Sequence, residues 1–146
     1  MLLTQIIKER LFCAKKVKQI LNNKLKNKTI TFLGVTFKPN TDDMRESSSI
    51  HMTKYLSKNF CKIRYYDPSG EKSELSKLRN VIYCNDIFSA CFKSDLIILH
   101  TDWNEFKLLN FRKLVKKNDF KIFDMRNIYS IEKMKKLKID YYSIGR

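Results

Sequence analysis

The chain has 146 residues, 43% of them hydrophobic and 12% aromatic, with three glycines and two prolines. That suits one globular domain with a real core and argues against a disordered chain or a turn-rich β-sandwich. The formal net charge of +15 is compatible with nucleic acid, an acidic membrane surface or a negatively charged small ligand, but the lysines are scattered along the whole chain rather than clustered on one face with aromatics between them, so neither nucleic acid nor a membrane is the expected partner.

Residues 3–26 place apolar side chains at Leu3, Ile6, Ile7, Leu11, Ala14, Val17, Ile20, Leu21 and Leu25, which predicts one long helix. One stripe of it can pack on the rest of the chain and the remainder suits a partner helix. Charges interrupt every short apolar run in MLLTQIIKERLFCAKK, so a cleavable signal peptide is not expected there. No apolar run approaches bilayer length, and the expected location is cytoplasmic. From residue 29 the pattern changes to short apolar runs at 30–35, 62–67, 80–84, 95–100, 121–125 and 140–145. These predict strands. Helices are predicted between them at 47–59, 71–78, 86–93, 110–117 and 130–137, with Ser47 or Ser48 capping the first. Asp67-Pro68-Ser69-Gly70 reads as a turn, since Pro presets φ and Gly accepts positive φ. Alternating strands and helices predict a Rossmann-like α/β fold: an open, mostly parallel sheet of about six strands with helices on both faces, preceded by the long helix. Cys13, Cys61, Cys84 and Cys91 form no C-x-x-C pair, and the two histidines do not complete a zinc set. They are expected to be thiols of a reducing compartment.

The least ordinary stretch is FLGVTFKPNTDDMRESSSI, residues 32–50. Ligands of open α/β sheets bind beyond the carboxyl ends of the strands, and residues 36–46 occupy that place after the first strand. Lys38, Arg45 and the start of the following helix could hold an anion such as a diphosphate. Equally, Asp42 and Asp43 could pair with Lys38 and Arg45 in a solvated loop. The residues alone leave both readings open.

The same stretch resembles the opening of the C-terminal domain of the UDP-glucose/GDP-mannose dehydrogenase family. The resemblance continues through RYYDPSG (64–70), DLIILHTDWNEF (95–106), IFDMRNIYS (122–130) and YYSIGR, in the family's order and spacing. It covers residues 29–146, with the preceding residues resembling the end of the family's long central helix. It implies a UDP-sugar-binding α/β domain at 29–146 and, at 1–28, the end of a helix that forms a homodimer. Nearest are the members that oxidise UDP-glucose to UDP-glucuronate with NAD, in two steps through a cysteine-bound intermediate. The resemblance further implies that the loop Phe37, Lys38, Pro39, Asn40, Thr41, Asp42, Asp43 and Met44 lines the UDP-sugar site. It implies that Arg126 contacts the UDP-sugar and that Arg45 reaches toward NAD. These roles suit the residue types. Lys38 supplies a mobile point charge, Arg126 a fork of donors and Phe37 a flat apolar surface. Asp124 is expected to position the loop around Arg126. Trp103 and Phe106 are expected as packing residues, and His100 as a structural histidine rather than a base.

The family's Gly-Gly-x-Cys nucleophile motif has no match among these residues, and Gly34 stands alone where a G-x-G-x-x-G fingerprint would need company. None of the four cysteines inherits the nucleophile role. The expectation is a chain with half of a substrate site, with NAD bound mainly elsewhere and no catalysis by this chain alone. The alternative is a stand-alone α/β binding or interaction module without chemistry. Met125 departs from the family, which usually has Gly between the Asp and Arg of this motif. If that position needs positive φ, Met strains the loop or shifts Arg126.

Overall fold

The computed structural model describes residues 2–146, apart from the side chains at 2, 3, 6, 7 and 9. Leu3, Ile6 and Ile7 of the expected apolar stripe therefore lie outside the described side chains. The N-terminal helix α1 spans Leu2–Ile20. It buries Cys13, Ala14, Val17 and Ile20 on one side, whereas Leu11 and Phe12 remain 48% and 53% exposed. The helix stops short of residue 26. Asn22 and Asn23 take φ of 54° and 62°, a left-handed conformation that Asn tolerates better than most residues and that ends a helix. Leu21 and Leu25 are buried all the same. Their apolar spacing belongs to a turn anchored in the core and not to further helix.

The strands are β1 (Thr29–Leu33), β2 (Lys62–Tyr66), β3 (Val81–Tyr83), β4 (Leu96–Leu99), β5 (Lys121–Asp124) and β6 (Asp140–Ser143). Helices α2 (Ser48–Lys58), α3 (Ser73–Ser76), α4 (Ile87–Cys91), α5 (Phe111–Val115) and α6 (Ile131–Lys136) connect them in turn, α5 following β4 and α6 following β5. Every expected element is present, somewhat shorter at its ends. An additional 3-10 turn at Asn104–Phe106 follows β4. The sheet is Rossmann-like, with order β3-β2-β1-β4-β5-β6, and every neighbouring pair is parallel.

The two central strands explain why their sequences read as unbroken apolar runs. Ile30, Phe32 and Leu33 of β1 and all of Leu96–Leu99 in β4 are fully buried, because both faces of the sheet are covered. One core lies between the sheet and α1 and α2, built around Val17, Phe32, Met52, Leu56, Ile63 and Ile98. The other contains Leu33, Ala90, Ile97, Phe111, Ile122 and Met134 on the opposite face. Phe106 is fully buried and meets Tyr66 edge-on at 6.2 Å, and Trp103 packs on the same core, as packing residues. No described helix is long and apolar enough to cross a membrane. The strand order reverses between β1 and β4, so the crevice that positions a site opens at the carboxyl ends of these two strands.

Candidate functional site

The loop leaving β1 is held by polar anchors rather than by glycines. Gly34 is the exception. Its φ is +79°, and a Cβ there would lie 2.6 Å from Thr101 Cβ, so β1 and the end of β4 can approach only without a side chain. Next, the N–H groups of Val35 and Thr36 donate to Asp67 Oδ2 at 2.8 and 3.4 Å. Asp67 is fully buried, and its other oxygen accepts from Ser69 N at 2.9 Å. The turn predicted at 67–70 thus ends β2 and also pins the neighbouring loop. Thr101 Oγ1 donates to Thr36 O at 2.8 Å, and Phe37 N donates to Asp43 O at 3.2 Å, which closes the loop on itself. Ser47, rather than Ser48, is the cap of α2, accepting from Ser49 N at 3.3 Å. The Ser47 and Ser49 hydroxyls each donate to Val35 O at 2.6 Å.

Arg126 joins three strand ends. Its Nε donates to His100 O at 2.8 Å, beyond β4, and an Nη donates to Phe37 O at 3.2 Å, beyond β1. The backbone that carries it is fixed by Asp124, fully buried at the end of β5. The Asp124 carboxylate accepts from Arg126 N at 3.2 Å, Tyr129 N at 3.0 Å and Tyr141 Oη at 2.6 Å, the positioning role expected of it. Met125 does not strain this turn. It is not among the residues with positive φ, and its N–H donates to Leu99 O at 3.1 Å. The left-handed residue is Asn127, φ 54°, whose side-chain amide donates to Ile144 O at 2.9 Å.

A cavity of about 500 Å³ opens over these strand ends. Phe37, His100, Met125, Arg126 and Ile144 line it from the sheet side, with Glu46, Ser47 and Ser48 from the start of α2. Lys8, Phe12 and Cys13 of α1 form the opposite wall. Of the expected site residues, Phe37 and Arg126 meet there. Lys38, Pro39, Asn40, Thr41, Asp42 and Asp43 lie along the loop but not in the cavity wall, with Lys38, Asn40 and Asp42 exposed and Asn40 at φ 63°. Met44 is only 6% exposed and belongs to the core. Arg45 forms a two-pronged pair with Asp43, at 3.0 and 3.1 Å, with its side chain 89% exposed. Arg45 hydrogen bonds hold the Asp43 carboxyl below its usual range. Asp43 and Arg45 thus form the ion pair that the solvated-loop reading expects, while Lys38 enters no ion pair among the described residues.

Sequence reasoning missed Lys8, Phe12, Cys13, Glu46, Ser48 and Met125 as cavity residues. Ser48 followed the strand-end loop and could have been found from it. The α1 residues could not, because the direction of that helix is set by long-range packing. His100 is fully buried, and desolvation, followed by the nearby Arg126 charge, pushes its pKa down to about 3. It is a neutral structural histidine, with Nε2 2.9 Å from Ser48 Oγ and Nδ1 3.0 Å from Thr101 Oγ1. Burial raises the Cys61 and Cys91 thiols to about 11 and about 12, so neither is poised as a nucleophile. No cluster of metal-ligating side chains occurs among the described residues.

Residues 31–131 match the sequence model of the UDP-glucose/GDP-mannose dehydrogenase family, UDP binding domain. The chain belongs to this family. A UDP-glucose 6-dehydrogenase from Rickettsia felis is 36% identical over 133 residues, covering 89% of this chain and 30% of the relative. One from Bacillus subtilis is 37% identical over 123 residues, covering 82% and 28%. The chain thus spans about 30% of the length of these relatives. Among solved structures, a UDP-D-ManNAc dehydrogenase from Pyrococcus horikoshii superposes with a TM-score of 0.70 at 25% identity, over 95% of this chain and 30% of that one. The matched residues include most of β1, the strands β2 to β5, the β1 loop and Arg126.

Proposed function

We propose that this chain is the UDP-holding part of a UDP-glucose 6-dehydrogenase, an enzyme that oxidises UDP-glucose to UDP-glucuronate with NAD. The observation that carries the reading is Arg126. Two of its N–H groups rest on the carbonyls of Phe37 and His100, so the guanidinium is oriented before any ligand arrives. Its other N–H groups remain for a diphosphate, in the forked geometry that favours bidentate binding. Phe37, 46% exposed beside it, offers a flat wall to the nucleoside. Lys38 and the loop to Asp43 close over the sugar side, Lys38 as a mobile cation. Met44 contributes from the core by anchoring the loop.

The cleft does not fit a dinucleotide. A tight Gly-rich turn is needed for the pyrophosphate to approach a helix N-terminus, but here a single glycine is followed by a long loop, and the N-terminal turn of α2 is closed by Ser47 and Ser49 bonding to Val35. In this reading NAD is bound outside these 146 residues, and Arg45, at the exposed rim, reaches toward it once released from Asp43. In the same reading the segment 1–28 carries, in α1, the end of a dimerisation helix, with Leu11 and Phe12 available to a second copy, and 29–146 are the UDP-sugar domain.

NMR titration with UDP tests the reading. Half a site without its companion domain should bind at about millimolar strength, near 4 kcal/mol. Substituting Lys38 or Arg126 with Ala should weaken binding by about 1–3 kcal/mol each, as a charged hydrogen bond is lost. Shifts should centre on the β1 loop, the start of α2 and the Arg126 turn. No shifts at several times that concentration would overturn the proposal.

A further inference from the structure

Ser48 lines the cavity, and its hydroxyl's only hydrogen bond among the described residues is to His100. The proton on each member of this chain of contacts can be assigned. Thr36 O is a carbonyl and can only accept, so Thr101 Oγ1, 2.8 Å away, must donate to it. The Thr101 hydroxyl proton is then committed. His100 Nδ1, 3.0 Å from the same oxygen, must carry a proton and donate it. The ring is buried beside the Arg126 cation and is neutral, so Nε2 is bare and accepts from Ser48 Oγ at 2.9 Å. Ser48 therefore has no proton left to offer. What its oxygen presents to the cavity is acceptor capacity alone.

Its neighbours differ in this respect. Ser47 and Ser49 are buried and donate inward to Val35 O, whereas Ser48 is only half-buried. Lys8 and Arg126, which line the same cavity, are donors only. His100 sets the spacing between the two kinds of group, since its carbonyl holds the Arg126 guanidinium and its ring holds Ser48. A nucleoside diphosphate has the matching polarity: an anionic diphosphate that needs donors and, one pentose away, hydroxyl protons that need an acceptor.

We propose that Ser48 accepts a hydrogen bond from a ribose hydroxyl of the nucleotide whose diphosphate lies on Arg126, and that the Thr36–Thr101–His100 chain fixes it in that acceptor role. Ser48 is thereby a specificity residue that favours a ribonucleotide over its deoxy counterpart. The proposal rests on the UDP reading given above.

The test is a cross of ligands and variants on the full chain. The wild type, Ser48→Ala and Ser48→Thr are each titrated with UDP and with 2′,3′-dideoxy-UDP. The wild type should bind UDP about five- to tenfold more tightly, the worth of one ordinary hydrogen bond. Ser48→Ala should bring UDP down to the dideoxy level and leave dideoxy-UDP unchanged. Ser48→Thr, which keeps the hydroxyl, should retain the discrimination. If Ser48→Ala does not fold, the wild type and the Thr variant still decide. Equal affinity of the wild type for the two nucleotides overturns this proposal and leaves the UDP reading standing. Failure of the wild type to bind either overturns both.

Discussion

Lowering the pH should destabilise the protein chiefly through one residue, His100. Its pKa is about 3 in the folded chain against 6.5 for an ordinary histidine. A folded pKa below the unfolded one means that the unfolded chain takes up a proton the folded chain refuses. Stability is then fully present above pH 6.5 and falls as the pH drops from there toward 3. The slope is about 1.4 kcal/mol per pH unit for one proton, so moving from pH 6.5 to 4.5 should cost about 2 kcal/mol. His51 titrates in the same direction, through burial and then Arg10, but it is only half-buried and its share is smaller. The Asp43 and Asp95 carboxyls are depressed and lose their contribution only at lower pH still. The perturbation that isolates His100 is His100→Leu, which is apolar and does not titrate. Urea denaturation of both proteins across pH 4.5–7 gives the assay. The wild type should lose about 2 kcal/mol more than the variant over that range. Parallel losses would show that His100 either takes up a proton in the fold or is not sealed from water, and would refute the proton assignment along Thr36, Thr101, His100 and Ser48.

Gly34→Ala should lower stability by about 2–4 kcal/mol in a denaturant midpoint, because it combines a strained φ with a Cβ pressed against Thr101. Tyr141→Phe removes the hydroxyl that Asp124 accepts and should cost about 1 kcal/mol of stability; if Asp124 positions Arg126, UDP affinity in an NMR titration should fall as well. Changing Leu11 and Phe12 together to Glu should turn a dimer into a monomer in sedimentation, and a wild-type chain that is monomeric at high concentration would end the dimer proposal. The purified chain should produce no NADH from UDP-glucose above background, and Arg45→Ala should affect UDP binding less than Arg126→Ala, both read by absorbance and NMR titration.

The elements legible in the sequence were those whose signal is local. The apolar runs of β1 and β4 announced strands buried on both faces, and the serines before α2 announced its cap, since a side-chain oxygen must meet an N–H two residues on. Gly70, with φ 100°, closed the expected turn. The rest depended on partners far along the chain. Asp67 reads as a turn residue, yet it reaches across to Val35 and Thr36 only because β1 and β2 pair in parallel register. Leu21 and Leu25 kept helical spacing beyond the helix because a turn can bury the same side. Lys8 and Phe12 reached the cavity through the direction in which α1 packs, which no spacing within it encodes.

Arg126 shows how a departure in sequence can leave a turn and its hydrogen bonds intact. A glycine between the Asp and Arg of this turn suggests a need for positive φ, and Met at that position then predicts a displaced guanidinium. The left-handed residue in this chain is instead Asn127, which tolerates that conformation and is held by reciprocal bonds to Ile144, from its side-chain amide at 2.9 Å and to its side-chain oxygen at 3.1 Å. Met125 can therefore continue the ladder to Leu99 and place its side chain in the cavity wall. Arg126 keeps its ties to Asp124, His100 and Phe37, contributed by the ends of three different strands. A guanidinium held by two carbonyls, on a backbone fixed by Asp124, has little rotamer freedom left to lose on meeting an anion, which lowers the entropic cost of binding. The sheet order supplies this arrangement, because β1, β4 and β5 are consecutive neighbours whose carboxyl ends face the same crevice.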